Sequence, residues 1–344
     1  MSERPTSPSA APLRDLLSKR PLRVGIAVVA VVITALLLGG GEGEPVWIEI
    51  PSGSSSPQVA RILEENDVVG SARSFHLYAR LTRADRDLKA GTYEMRTGSS
   101  VRSALRVLRR GEVETVPVTI PEGLAVWQLA PLLVEITATP ETEIVETLRD
   151  PALAERLGVP GPTVEGYLFP DTYRFARGVS IETVAAAMVE RYSSVWTDER
   201  RATLAQRGLT EREIVTLASI VQTEARQVRE MPRIAGVYQN RIRDGWLLQA
   251  DPTVIYALGG YRERLLFAAI DSVADSPYNT YTQPGLPPGP IAAPGTLAID
   301  AALAPEEHDF WFFVAARDGS HVFTQTLDDH NAAIQEVRRV DGGD

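Results

Sequence analysis

The sequence predicts an α+β protein carried on a single N-terminal transmembrane helix, with a small α+β module ahead of a larger mixed α+β domain. Three observations predict it. The 18 residues from Val24 to Gly41 carry no charge, enough for one short membrane span. Beyond them, segments with helical spacing alternate with short β-rich pieces punctuated by glycine and proline. No second apolar run of comparable length follows, so the remaining roughly 300 residues should form soluble structure with room for two modest cores.

The tail, residues 1–23, sets the orientation of the span. Arg4, Arg14, Lys19, Arg20 and Arg23 stand there against Glu3 and Asp15. A basic flank places the N-terminus in the cytoplasm and everything after the span outside. A cleavable signal peptide competes with an anchor, but no good A-x-A site follows the apolar run. The linker EGEP, residues 42–45, is very short, so the first strand-like piece, VWIEI, should sit close to the bilayer. Cysteine is absent, which excludes disulfides, thiolate metal sites and cysteine nucleophiles. A net charge of -10 and the lack of a Lys/Arg stripe with interleaved aromatics argue against a nucleic-acid partner.

From VWIEI to Gly111 the order is strand, helix, helix, strand, helix. PQVARILEEN and SFHLYARL have helical spacing, AGTYEM reads as a strand, and SSVRSALRVLRRG starts on serine and stops at glycine. His76, between Phe75 and Leu77, reads as a packed or partly exposed helix residue rather than a ligand. A second block opens with the strand-like VETVPVTIPEG and continues through helices at AVWQLAPLLVE, TEIVETLRD and PALAERLG. Glu122 falls in the Pro121–Gly123 turn, where an acid more often caps than catalyses. VEGYLFPDTYRFARG is dense in tyrosine and phenylalanine, and either wraps a core or lines a groove that stacks on sugar faces. Helices should follow at IETVAAAMVERYSSVW and MPRIAGVYQNRIRDG, with a β-rich remainder in HDFWFFVAARDGSHVFTQT.

Between those two helices lies LASIVQTEA, which contains the most informative residue, Glu224. Thr210 and Glu213 have capping-box spacing, so the spacing predicts a helix from about Glu211 to Arg226. Ile214, Leu217, Ala218, Val221 and Ala225 share one face, and Glu224 falls at its margin beside Leu217. A carboxylate there is either bonded to solvent or a nearby arginine, or in chemical use. Desolvation would raise its pKa and make it a proton donor near neutral pH.

Other chemistries find little support. The four histidines, His76, His308, His321 and His330, form no H-E-x-x-H and no compact cluster, although Asp328 and Asp329 lie between the last two. There is no G-x-S-x-G elbow, Walker loop or dinucleotide loop; neither a metal nor a cofactor is expected. Carboxylate chemistry survives. Glycosidic cleavage needs an acid to protonate the leaving oxygen and usually a second group for the sugar cation. Glu224 fits the first role, while Asp251, Asp275 and Asp171 all remain candidates for the second. Gln249, Asn279, Thr280 and Tyr281 are polar groups grouped around these acids, though each alone is a common turn-former.

The strings EGYLFPDTY, LASIVQTEA, VYQNRI, LLQADPTVIYAL, SPYNTYTQPGLPPGPIAAPG and HVFTQTLDDHN together resemble the YceG-like family over nearly the whole chain. The resemblance implies a LysM-like module at 46–110 and a YceG-like catalytic domain at 111–340, behind the cytoplasmic tail and the membrane helix at 24–41. It implies a lytic transglycosylase of the bacterial cytoplasmic membrane, single-pass, with its catalytic domain on the extracytoplasmic side. Its substrate would be the β-1,4 bond between N-acetylmuramic acid and N-acetylglucosamine in nascent peptidoglycan, cut within strands to leave 1,6-anhydro ends. Glu224 would act first as acid and then as base, with no cofactor and no second carboxylate required. Gln249, Asp251, Asn279, Tyr281 and His321 would be substrate-binding or scaffold residues of the groove. A membrane-bound peptidoglycan synthase would be the partner. One departure is visible: where the family often has a charged pair before the glutamate, this chain has Gln222 and Thr223. A water-using muramidase and a non-catalytic glycan-binding scaffold remain as alternatives.

Overall fold

The computed structural model describes residues 43–51, 53–111, 115–260 and 267–341. The expected tail and apolar span lie outside them. Among the described residues no helix is long and apolar enough to cross a membrane. The chain divides into two compact units at residues 114 and 115.

In the first unit the order is β1 (Pro45–Ile50), α1 (Ser56–Glu65), α2 (Ala72–Leu81), β2 (Gly91–Arg96) and α3 (Val101–Arg110). β1 and β2 pair antiparallel with Ile48 opposite Tyr93. Strand alternation turns Ile48, Ile50, Tyr93 and Met95 inward onto Val59, Leu63, Phe75, Leu105 and Leu108. Ser71 and Ser100 accept the N3 amide hydrogens of α2 and α3, each cap contributing about 1 kcal/mol. His76 is half-buried and bonded to Ser56 at 3.1 Å.

In the second unit, β3 (Thr115–Thr119) pairs antiparallel with β4 (Thr172–Ala176), Val118 opposite Tyr173. Between them run α4 (Val126–Thr137), α5 (Glu141–Arg149) and α6 (Pro151–Leu157). The aromatic stretch after residue 163 wraps the core: Val164, Tyr167, Leu168, Phe169 and Phe175 are buried in it. Next come α7 (Ile181–Val195), α8 (Asp198–Arg207), α9 (Glu211–Glu224), a 3-10 turn (Val228–Glu230) and α10 (Met231–Arg243). The chain closes with α11 (Asp251–Ala257), α12 (Phe267–Ser272), α13 (Thr296–Leu303), the hairpin β5 (Phe312–Ala315) and β6 (His321–Thr324), and α14 (Leu327–Asp341).

α9 is the axis of this unit. The predicted capping box forms: Thr210 Oγ1 accepts the Glu213 amide hydrogen at 3.2 Å, and Glu213 Oε2 accepts that of Thr210 at 2.7 Å. The expected single apolar face is not what folding produces. Every residue from Ile214 to Val221 is buried, because α10, α11 and α13 all pack against the helix. Thr216 and Ser219 tolerate enclosure by donating their hydroxyls to the carbonyls of Arg212 and Thr216, both at 2.7 Å. The helix also stops two residues early, since Ala225 is extended at ψ 121° and redirects the chain toward the 3-10 turn.

The proline-rich loop is a wall. Residues 289–295 are buried, with the Ile291 amide on Ser219 Oγ at 3.1 Å and the Gly295 amide on Gln222 Oε1 at 3.0 Å. A Cβ on Gly166, where φ is +81°, would lie 2.2 Å from Pro290 Cβ, so only glycine admits this approach.

Candidate active site

Glu224 is the last residue of α9, and α10 returns beside it. Tyr238 and Arg241 are three apart, which puts them on one face of α10. Tyr238 donates its hydroxyl to Glu224 Oε1 at 2.8 Å. Its own ring is buried and meets Phe313 edge-on at 5.9 Å. Arg241, also buried, donates Nε to the Trp311 carbonyl at 2.9 Å and Nη1 to that of Leu248, with its guanidinium 5.6 Å from the Phe312 ring centre.

Glu224 keeps partial access to solvent although protein crowds its carboxyl group. Burial pushes that group up to about 7, opposed by the Tyr238 hydrogen bond, reinforced by the charge of Asp251 and opposed by that of Arg241. The carbonyl end of α9 adds a further bias against negative charge. Burial, and next the Glu224 charge, holds the Tyr238 hydroxyl well above the usual phenol range, so Tyr238 stays a donor at neutral pH. Glu224 is therefore a group that both gives and takes a proton near pH 7.

Asp251 opens α11 and accepts the Tyr281 hydroxyl. These two meet because the loops that carry them are bonded together: the Gln249 amide to the Thr280 carbonyl and the Ala250 amide to Thr280 Oγ1, each at 3.0 Å. Gln249 is exposed and left-handed, φ +47°, a conformation that costs about 1 kcal/mol or more in a non-glycine residue. Asp251 and Tyr281 thus stand together, with the charge of Asp251 acting on Glu224 and that of Glu224 on Tyr281, and the Gln249 backbone is tied to the same pair of loops.

Two expected substrate contacts are enclosed instead. Asn279 is 0% exposed; its Nδ2 donates to the carbonyls of Ile270 and Val273 at 2.9 and 3.1 Å, and its Oδ1 accepts the Tyr281 amide at 3.0 Å. With both ends of the amide engaged, it braces the loop. The His321 side chain is 3% exposed and bonded through Nδ1 to Glu230 Oε2 at 2.8 Å. Its ring meets Phe313 edge-on at 5.4 Å, so it supports the aromatic cluster behind Tyr238.

Neither other carboxylate candidate joins the site. Asp171 is paired with Arg191 at 2.6 Å, which holds its carboxyl below the usual range. Asp275 is exposed and makes no hydrogen bond among the described residues. His330 stacks on Phe312, and among the described residues no three His, Asp or Glu side chains are grouped to hold a metal. Sequence reasoning missed Tyr238 and Arg241, although both lie in the quoted VYQNRI string; the signal was their spacing on a helix following Glu224. It also missed Glu165, a buried acid whose two oxygens accept the Val126 amide hydrogen at 3.0 and 3.1 Å.

The fold and site define an α+β protein in which a partly buried glutamate at a helix end has its carboxyl group pushed up toward neutrality by burial. The chain belongs to the YceG-like family, whose model matches residues 48–336. A Bacillus subtilis protein named endolytic murein transglycosylase is 33% identical over 307 residues, covering 85% of this chain and 84% of its own length. A Streptococcus pneumoniae protein of the same name is 30% identical over 325 residues, which span 85% of this chain and 58% of that relative. The crystal structure of a yceG-like protein from Listeria monocytogenes matches with TM-score 0.58 at 32% identity, covering 85% of this chain and 100% of that one.

Proposed function

We propose that this chain is an endolytic murein transglycosylase, a peptidoglycan-cleaving lyase with Glu224 as its catalytic residue. The observation that carries the mechanism is the Glu224 carboxyl group at about 7, held by Tyr238. The protonated acid donates to the glycosidic oxygen as the bond to C1 of N-acetylmuramic acid breaks. The resulting carboxylate takes the proton of the muramyl 6-hydroxyl as that oxygen closes onto C1. The product is a 1,6-anhydro end, no water is consumed, and Glu224 regains its proton. Gln249, Asp251 and Tyr281 line the approach.

The uncharged run at 24–41 and the short EGEP linker support a single-pass protein whose enzyme faces the extracytoplasmic side. A cutter held there meets strands as they leave a membrane-bound synthase and sets their length. The β-α-α-β-α unit at 46–110 fills the LysM-like position.

A second reading has one observation in its favour, the Asp251 charge felt at Glu224. A carboxylate so placed could activate water, giving hydrolysis and reducing ends.

The test is incubation of the full chain, in neutral detergent, with uncrosslinked peptidoglycan, and mass spectrometry of the ends. Anhydro ends from the parent and a loss of about 10²-fold or more in Glu224→Gln are the expected outcome. Reducing ends would replace transglycosylation by hydrolysis, and no products from a folded parent would remove the activity.

A further inference from the structure

The first unit holds a cleft of about 770 Å³ between α2, α3 and the segment ahead of β2. α3 supplies Arg102, Arg106, Arg109 and Arg110, spaced i, i+4, i+7 and i+8 and so on one face, and it contains no acid to oppose them. Arg86 and Lys89 join from the facing segment. Among the described residues that line the cleft, these six cations meet a single carboxylate, Asp87. The clustering runs against the whole chain, whose net charge is -10.

Hydrogen bonds fix the shape of the cleft. The Lys89 amide donates to the Leu108 carbonyl at 3.2 Å, Lys89 Nζ to the Arg110 carbonyl at 3.4 Å, and the Tyr93 hydroxyl to the Lys89 carbonyl at 2.8 Å. Asp87 reaches Arg109 at 3.5 Å with both side chains more than half exposed, a pair of little strength in water. Arg86, Arg102 and Arg106 make no ion pair or hydrogen bond among the described residues. Cations gathered in this way repel one another and draw an anion. Guanidinium forks match the oxygens of phosphate in particular.

Apolar surface decides which phosphate. Tyr78, Leu88 and Leu105 line the same cleft, and on the adjoining side of α2 Leu77 and Leu81, one turn apart, are 59% and 74% exposed. A free phosphate or a soluble phosphate polymer has no use for those side chains. A phospholipid does, since its glycerol and acyl stem meet them while its headgroup meets the arginines. The linker of residues 42–45 would keep this unit within about 14 Å of the end of the uncharged run.

We propose that this cleft binds the phosphate headgroup of an anionic phospholipid, laying the first unit on the bilayer with the basic face of α3 toward it. The proposal rests on the single-pass arrangement given above for nearness to lipid, while the binding chemistry belongs to the cleft itself. The contact adds a second attachment to the apolar run.

The experiment is native mass spectrometry of the full chain in neutral detergent, titrated with phosphatidylglycerol or, as the control without net charge, phosphatidylcholine. Phosphatidylglycerol should bind about tenfold more tightly or better. Arg102→Gln combined with Arg106→Gln should weaken it on the order of tenfold or more, at about fivefold for each cation removed. Leu77→Gln combined with Leu81→Gln should weaken it by about threefold or more. All four side chains are exposed, so the thermal midpoint should hold in both variants. Equal binding of the two lipids, or phosphatidylglycerol binding that survives the arginine substitutions, would overturn the site. Displacement of the lipid by equimolar inorganic phosphate, or by equimolar soluble polyphosphate, would overturn the lipid assignment. Alkaline carbonate extraction from phosphatidylcholine vesicles tests the anchor separately. Release there, with lipid binding still dependent on Arg102 and Arg106, would retain the cleft and remove the single-pass arrangement.

Discussion

Tyr238 gives its hydroxyl hydrogen to Glu224 Oε1 over 2.8 Å, and the Phe313 ring fixes Tyr238 edge-on from the other side. The same Phe313 meets His321, which Glu230 holds. The Glu224 carboxyl group is therefore oriented through two helices and a hairpin.

Tyr238→Phe keeps the ring packing and deletes only the donor. That hydrogen bond favours the carboxylate form and holds the Glu224 pKa down against burial, so its loss raises the pKa. The alkaline limb of kcat/KM on glycan should move to higher pH, and kcat at neutral pH should fall because the weaker acid gives its proton to the leaving oxygen less readily. A pH–rate profile superimposable on that of the parent would show that Tyr238 only packs.

Glu165 makes stability depend on pH. Burial pushes its carboxyl from 4.5 up to about 8, against the Val126 amide, the Arg149 charge, Tyr256 and the Gly166 amide. Between those two values the folded chain holds a proton that the unfolded chain releases. Stability is full below 4.5 and falls as pH rises through about 8, by a few kcal/mol on the order-of-magnitude scale of such shifts. Glu224 adds the same sign between 4.5 and about 7. The thermal midpoint should drop between about pH 5 and 8, and Glu165→Gln should flatten that slope; an unchanged slope in the variant would refute the assignment.

Asn279→Ala separates bracing from binding. Deleting a buried amide that serves three backbone groups should cost about 2–4 kcal/mol, read as a lower denaturant midpoint. KM for glycan, measured where the variant is fully folded, should stay within about twofold, since the side chain reaches no solvent. A KM rise without a stability loss would return Asn279 to the groove.

How far the site was legible follows the range of the forces involved. The start of α9 could be read because Thr210 and Glu213 cap it within one turn. Its end could not, because Ala225 turns extended to serve a path set by α10. Glu224 stood out as an acid in an apolar stretch, yet its partners Tyr238 and Arg241 had ordinary surroundings in the chain. Asp251, Gln249 and Tyr281 could be grouped by position, whereas Asn279 and His321 share the same polarity and are enclosed by packing that no local pattern encodes. Helix α8 has no buried residue, so it carried no apolar face to announce it.

By itself the sequence determined the α+β class, the strand and helix order of the first unit, the helix start at Thr210 and the place of an acid, Glu224, in an apolar stretch, since capping, alternation and hydrophobic spacing act over a few residues. Tertiary structure alone decided that α9 is buried all round from Ile214 to Val221, that Tyr238 meets Glu224, and that the 289–295 stretch is a wall. Those outcomes depend on contacts between segments tens of residues apart, where desolvation and hydrogen-bond geometry are set by the assembled core and not by any neighbour in the chain.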